Sequence, residues 1–91
     1  MTTIEAWVEI DGNRVPQALH EAGEKLDSAG GDVFLDFSAV RRVDPNALQA
    51  MEELAGVADE KSVKVVLRGV NVDVYKVLKL ARLSSRFSVV N

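Results

Sequence analysis

The sequence VFLDFS at residues 33–38 leads, through a short basic link, into VDPNAL at residues 43–48. The first segment is rich in valine and phenylalanine, which favour a β-strand. In the second, aspartate followed by proline is the pattern of a helix start, with Asp44 as the N-cap and Pro45 at the first helical position. Together they predict a strand that runs within a few residues into a helix N-terminus, which is a common place for a ligand, a phosphate or a partner to bind.

Apolar residues along the rest of the chain recur alternately every two and about every 3.6 residues, which predicts strands that alternate with helices. The predicted strands are residues 4–10, 33–38, 63–68 and 87–90. The predicted helices begin after caps at Asn13, Asp44 and Asn71, and the first of them ends at Gly30 and Gly31. The order is βαβαβαβ without linkers or repeats, so residues 1–91 are predicted to form one domain.

This order predicts an α/β fold with a four-stranded, mostly parallel sheet, because each strand-helix-strand step needs a crossover and such crossovers are right-handed. The strands alternate apolar and polar side chains instead of being apolar throughout, so we expect the helices mainly on one face. The other face is predicted to carry an apolar stripe formed by Trp7, Phe34, Val66 and Val90. Such a stripe favours a homodimer or a partner contact. The alternative is that a loop or helix edge of the same chain covers it.

Composition limits the class of function. The 91 residues carry a net charge of -3, which gives no general attraction to nucleic acid or to an anionic membrane. The absence of cysteine excludes a disulfide framework and a thiolate metal site, and is typical of the reducing cytoplasm. The first residues lack the basic segment and apolar run of a secretion signal, and no apolar run is long enough to span a membrane. We therefore expect a cytoplasmic protein.

The predicted start of the second helix is the candidate binding site. We expect its contact surface to consist of Arg41, Arg42, Asp44, Pro45, Asn46, Ala47 and Gln49, with Asp36 supporting the loop. The backbone N–H groups of Asn46 and Ala47 are expected to point outward from the first turn. The two arginines are suited to grip a carboxylate or a phosphate of a partner.

An enzyme is the weaker interpretation of the same residues. Asp36 and Asp44 could form a carboxylate pair that binds magnesium or divides acid and base roles. The chain has one histidine, His20, and no phosphate-binding, dinucleotide-binding or zinc-protease motif. The helix start also carries no serine, threonine, cysteine or histidine that could act as a nucleophile. We therefore predict no catalysis, no cofactor and no metal, and keep nucleotide binding at the helix start as an alternative.

Two segments resemble the STAS domains, a family named for sulfate transporters and anti-sigma factor antagonists. DFSAV at residues 36–40 and VDPNA at residues 43–47 resemble the LDLSxVxxxDSSG segment of that family. The likeness continues through VVLRGVN at residues 65–71 and covers most of the chain from Ile4 onward. It implies a STAS-like domain that acts as a non-catalytic protein-binding module.

In the phosphorylatable antagonists of this family, an anti-sigma kinase phosphorylates the serine two residues after the motif aspartate, and the phosphate blocks binding. Asp44 matches that aspartate, Pro45 and Asn46 match the two serines, and Ala47 matches the glycine. The resemblance implies binding to an anti-sigma factor, a kinase or another signalling partner in transcription regulation. Asn46 cannot accept phosphate, so we expect this chain to stay permanently in the form that binds.

A second likeness gives an alternative partner. LRGVN at residues 67–71, with Val74 and Tyr75, resembles the cytoplasmic STAS subunit of the ABC transporter that maintains outer-membrane lipid asymmetry. That likeness implies binding to the ATPase of a phospholipid transporter.

The N-terminus departs from the family pattern. STAS domains commonly begin with an additional strand, whereas only three residues precede Ile4 here. The first strand is therefore expected to have a bare edge, which proteins usually protect. Glu5 and Glu9 would guard this edge, or two copies of the chain would pair their edges or cover Trp7.

Overall fold

Strands and helices alternate along the described part of the chain, which contains four strands and three helices. The computed structural model describes residues 6–26 and 32–90. Its elements are β1 (Ala6–Glu9), α1 (Val15–Lys25), β2 (Val33–Asp36), α2 (Pro45–Lys61), β3 (Val65–Arg68), α3 (Val72–Leu80) and β4 (Ser88–Val90). The predicted α/β class and βαβαβαβ order are confirmed. Residues 4 and 5, predicted as part of the first strand, and the predicted helix end at Gly30 and Gly31 lie outside the described residues.

The sheet has the order β1-β2-β3-β4, and every neighbouring pair of strands is parallel. Each strand therefore lies beside the one that precedes it in the chain, so all the crossovers step in the same direction. Right-handed crossovers that step in one direction leave their helices on one face of the sheet. The loops that follow β1, β2 and β3 consequently meet at one end of the domain.

The core lies between the helices and one face of the sheet. Alternate residues of a strand point to the same face, and the helix-facing residues Val33, Leu35 and Leu67 are fully buried. The helices pack against them with Leu19, Ala22, Met51, Leu54, Val74 and Leu78. Burial of a side chain of leucine or valine size stabilises a fold by about 1.5–3 kcal/mol. This face of the sheet is thus covered by the helices.

The opposite face is open, although one residue of the predicted apolar stripe is covered. Trp7 is 52% exposed and Val90 is 40% exposed, while Phe34 is half-buried. Val66 is only 5% exposed and is not part of the helix-side core. The register places Val66 on a central strand, between Phe34 of β2 and Ser88 of β4. The prediction that Val66 contributes exposed apolar surface is therefore wrong.

The turns that follow β1 and β2 each contain a hydrogen bond to an aspartate side chain. They occupy positions where the sequence predicts a helix cap and the end of a strand. Asp11 accepts the backbone N–H of Asn13 at 2.9 Å, so Asn13 belongs to the turn after β1. The N-cap of α1 is Arg14, which makes no side-chain cap, and the predicted Asn13 cap is wrong. Asp36 accepts the backbone N–H of Ser38 at 2.9 Å, and β2 ends two residues earlier than predicted. Aspartate commonly bonds in this way to the residue two positions further on.

Candidate functional site

The helix α2 begins where the sequence predicts. Asp44 has an extended backbone (φ -86°, ψ 174°), and its Oδ1 atom accepts the Ala47 N–H at 2.8 Å. The carbonyl oxygen of Asp44 accepts the Leu48 N–H at 2.9 Å. Pro45 has no N–H, and Asp44 accepts the N–H groups of Ala47 and Leu48. The N–H of Asn46 is therefore the one in this first turn that is not hydrogen-bonded to Asp44. The amide of Ala47, which we expected to point outward, is bound by its own cap.

All but one of the predicted contact residues are exposed. The exposed ones are Arg41, Arg42, Asp44, Pro45, Asn46 and Gln49. Ala47 is 1% exposed and belongs to the core. It lies four residues before Met51, so the helical repeat places both on the face of α2 that packs inward. The assignment of Ala47 to the contact surface is therefore wrong.

The loop between β2 and α2, residues 37–44, is held by Asn71. The Oδ1 atom of Asn71 caps α3 by accepting the Val74 N–H at 2.7 Å, as the sequence predicts. Its Nδ2 atom donates to the carbonyl oxygens of Val40 at 3.2 Å and Arg41 at 3.4 Å. One side chain thus ties the start of α3 to the loop that leads into α2. The sequence predicts the cap but not this bridge. The bridge could be anticipated only from the fact that loops after neighbouring parallel strands lie side by side.

Two glycines pack against the same loop where a side chain would not fit. A Cβ atom on Gly12, which follows β1, would collide with the carbonyl oxygen of Ala39. Gly69, which follows β3, has φ +73°, and a Cβ atom there would lie 3.1 Å from both the Cβ and the backbone nitrogen of Ser38. The path of the loop therefore depends on glycine at both positions. Neither role was recognised from the sequence.

Asp36 stabilises the beginning of this loop. The Ser38 hydroxyl and backbone N–H both donate to the Asp36 carboxylate, and the charge of Arg68 lies nearby. These contacts hold the pKa of Asp36 below its ordinary value, against an opposing effect of burial. A carboxyl with a lowered folded pKa stabilises the protein above its unfolded pKa. That contribution is lost as the pH falls through the folded pKa.

Asp36→Asn is expected to remove this pH dependence. Asparagine keeps an acceptor for the Ser38 N–H but carries no charge, so the variant is expected to be less stable than the wild type at neutral pH. The difference should shrink as the pH falls from about 4 through the lowered folded pKa, because the wild-type carboxylate is then protonated. Urea unfolding at a series of pH values measures this difference. If it stays constant from about pH 7 to about pH 2, the charge of Asp36 does not contribute as described.

Four of the predicted contact residues line surface grooves of the described structure. Asn46 and Gln49 line a groove of about 590 Å³ between α1 and α2, whose floor includes Leu19 and Leu54. The two arginines of the loop, Arg41 and Arg42, line a groove of about 460 Å³ against α3 and another of about 520 Å³ against the loop after β1. The structure thus brings the predicted residues to one end of the domain but distributes them over different grooves.

The side chains that suggested catalysis have structural partners. Asp36 accepts from Ser38, and Asp44 accepts from Ala47. The exposed His20 has its Nε2 atom 3.5 Å from Oε1 of Glu24. Across residues 6–26 and 32–90, no group of three histidine, cysteine or acidic side chains is arranged to hold a metal ion. Nor does any helix in these two ranges have the length and apolar character to cross a membrane.

The comparison with protein families decides the identity of the domain. A family model described as "Mlab, STAS domain" matches residues 4–90. The chain belongs to the STAS domain family. No curated protein matches the sequence significantly.

Solved structures share this STAS fold. The NMR structure of the protein TM1081 has a TM-score of 0.78 at 16% identity, over 100% of this chain and 77% of that chain. A crystal structure of a candidate anti-sigma factor antagonist from Thermotoga maritima, also TM1081, has a TM-score of 0.67 at 18% identity, over 100% and 75% of the two chains. At such low identity, the likeness establishes the STAS fold alone.

In this STAS domain, the motif positions have distinct surroundings. Asp44, which matches the motif aspartate, is the N-cap of α2. Asn46, which the motif resemblance relates to a serine of the family pattern, is exposed two residues after the cap. Ala47, which matches the glycine, is buried. The start of α2 is therefore exposed, and the loop that leads into it is held by contacts with the neighbouring loops.

Proposed function

We propose that this STAS domain is a non-catalytic protein-binding module of the cytoplasm, similar to the anti-sigma factor antagonists. Its partner is an anti-sigma factor, a kinase of that type or another protein that regulates transcription. The contact is made by the start of α2 and the preceding loop. The observation that carries the proposal is the exposure of Asp44, Pro45 and Asn46 on this helix start. Residues on a loop that a rigid scaffold positions are well suited to binding.

Fixed geometry and charge both support this surface. The hydrogen bonds from Asn71 to Val40 and Arg41 order the loop before a partner arrives, which reduces the entropy lost on binding. The exposed guanidinium groups of Arg41 and Arg42 favour a partner that presents carboxylates beside this loop. Such charges determine orientation and association rate more than affinity.

Because residue 46 is asparagine, phosphorylation at this position cannot switch binding off. A phosphate at a helix N-terminus is stabilised by the helix dipole, so phosphorylation at this position blocks a partner without unfolding the helix. The amide of asparagine has no hydroxyl for a kinase to modify. The proposed module therefore binds regardless of kinase activity.

Asn46→Ser is expected to create the phosphorylation site that the wild type lacks. After incubation with an anti-sigma kinase from the same cell and ATP, mass spectrometry should find phosphate at residue 46 of the variant and none at residues 44–47 of the wild type. The phosphorylated variant should then bind the partner more weakly than the unphosphorylated variant. Asn46→Ala is the control, because it removes the amide without adding a hydroxyl. Phosphate on the wild-type helix start, or unchanged binding by the phosphorylated variant, would contradict the proposal.

A second candidate partner is the ATPase of a phospholipid ABC transporter. The resemblance of LRGVN at residues 67–71 to a transporter STAS subunit favours it. Asn71 of this stretch contacts the loop before α2, so the same surface would serve either partner. Co-purification of a transporter ATPase and permease, without a serine kinase, would select this alternative. Nucleotide binding gains no comparable support, since the Ala47 amide is bound by Asp44.

A further inference from the structure

The outer edge of β1 has hydrogen-bonding groups that face away from the sheet. Within residues 6–26 and 32–90, β2 is the only strand that pairs with β1. Ala6 and Ile10 donate their N–H groups to carbonyl oxygens of Asp32 and Asp36, at 3.4 and 3.0 Å. Backbone groups of successive residues in a strand point to opposite sides, so the N–H and C=O groups of Trp7 and Glu9 point to the outer edge.

A positive charge lies beside this edge on the open face. Trp7 is stacked on Phe34, with ring centroids 6.0 Å apart and planes inclined by 19°. The Arg68 side chain extends from β3 across β2, and its Cζ atom lies 5.8 Å from the centroid of the Trp7 ring. The guanidinium group is therefore carried to the strand at the edge of the sheet. Glu9, two residues after Trp7, points to the same face and is exposed.

We propose that two copies of this chain form a symmetric dimer by antiparallel pairing of their β1 strands. With the two-fold axis at Val8, Trp7 of each copy lies opposite Glu9 of the other. The outward N–H and C=O groups of these residues then form two hydrogen bonds at each of the two symmetry-related pairs. The two sheets become one, with both helix layers on the same side.

Charge complementarity favours this register and a second copy as the occupant. Side chains directly opposite each other on antiparallel strands have Cβ atoms about 5 Å apart. Glu9 of the second copy is thus brought beside Trp7 and within reach of the Arg68 guanidinium that already lies over that ring. The two-fold axis produces this contact between Glu9 and Arg68 twice in the dimer. A register that paired Glu9 with Glu9 would instead place like charges opposite each other, which is destabilising.

This inference is independent of the proposed function, because it concerns the β1 edge and not the start of α2. The contact uses one short strand and a few side chains from each copy, so it is smaller than a standard stable interface. The dimer is therefore expected to be weak and to form as the protein concentration rises. A partner that binds at α2 does not compete for these residues.

Sedimentation equilibrium and tryptophan fluorescence over roughly a hundredfold range of concentration test the proposal. Trp7 is the single tryptophan of the chain, so its emission reports directly on this edge. We expect the average mass to rise toward twice that of the chain, with a shift of the emission to shorter wavelength. A mass that stays monomeric over the whole range would overturn the proposal.

Charge exchange tests the register. Glu9→Arg and Arg68→Glu should each weaken self-association at least about tenfold, because each places two like charges together. An equimolar mixture of the two variants should associate again, since the mixed dimer has an unlike pair at both contacts. Lys64→Glu, which makes the same charge change as Arg68→Glu at another exposed residue, should associate as the wild type does. If the mixture does not associate, the register is wrong.

Glu9→Pro tests the backbone pairing. Proline removes an N–H that faces outward and leaves the N–H groups that bond to β2, and such substitutions are tolerated at sheet edges. Circular dichroism should show a folded protein, and self-association should be lost. A folded Glu9→Pro variant that associates as the wild type does would overturn the proposal in favour of contact through the sheet faces.

Discussion

Gly12→Ala is expected to lower the free energy of unfolding by about 2 kcal/mol. The added methyl group would occupy the position of the Ala39 carbonyl oxygen, which is a backbone atom and cannot turn aside as a side chain could. Among the described glycines, only Gly69 has a positive φ, so the backbone of Gly12 itself is one that alanine accepts. The expected loss thus arises from the collision between the two loops. Urea unfolding of the variant and the wild type measures it.

Gly56→Ala is the matched control for this substitution. Gly56 lies within α2, and a Cβ atom there would meet nothing within 4 Å. Alanine has the higher helix propensity, so this variant is expected to be more stable than the wild type by up to about 1 kcal/mol. If Gly12→Ala and Gly56→Ala change stability in the same direction and by similar amounts, then close packing of the loops does not explain why residue 12 is glycine.

The parts of the fold that depend on local sequence could be predicted. The pattern VDPNAL places the cap at Asp44 and the first turn at Pro45 without knowledge of any distant residue. Alternation along the strands likewise identifies the face that carries Val33, Leu35 and Leu67 into the core. The order of the elements then leaves little choice of topology, because right-handed crossovers with short connections give a parallel sheet with its helices on one face.

The parts that depend on contacts between distant segments could not be predicted in the same way. Val66 alternates with its neighbours as an open-face residue, yet it is only 5% exposed on its central strand between β2 and β4, which alternation alone does not predict. The bridge from Asn71 to Val40 joins residues 31 positions apart. Ala47 was misassigned for a different reason, since its position in the motif was given more weight than its place on the inward face of α2. The sequence therefore predicts the candidate site at the start of α2, and the structure shows which of the predicted residues are exposed and which are buried.

Asn46→Glu is expected to weaken partner binding at least about tenfold, which corresponds to about 1.4 kcal/mol. A glutamate at this position resembles a phosphorylated side chain, because it adds negative charge and bulk to the exposed start of α2. It is also near the positive end of the helix dipole, so the variant should be at least as stable as the wild type. The loss of binding can then be separated from a loss of folding by thermal unfolding of the two proteins.

Gln17→Glu is the matched control. Gln17 is exposed in the first turn of α1, so the substitution adds the same charge at a similar place in a different helix. It should leave partner binding unchanged and, for the same reason as Asn46→Glu, should not lower the stability. Weakening by Gln17→Glu equal to that by Asn46→Glu would indicate a general effect of net charge.

The most direct measurement is the dissociation constant of the partner for the wild type, Asn46→Glu and Gln17→Glu, determined by titration calorimetry. The partner is the protein retained from the native cell by wild-type and Gln17→Glu baits. The account predicts that the wild type and Gln17→Glu bind equally and that Asn46→Glu binds at least about tenfold more weakly. Equal dissociation constants for all three proteins would contradict the claim that the start of α2 is the surface on which this STAS domain binds its partner.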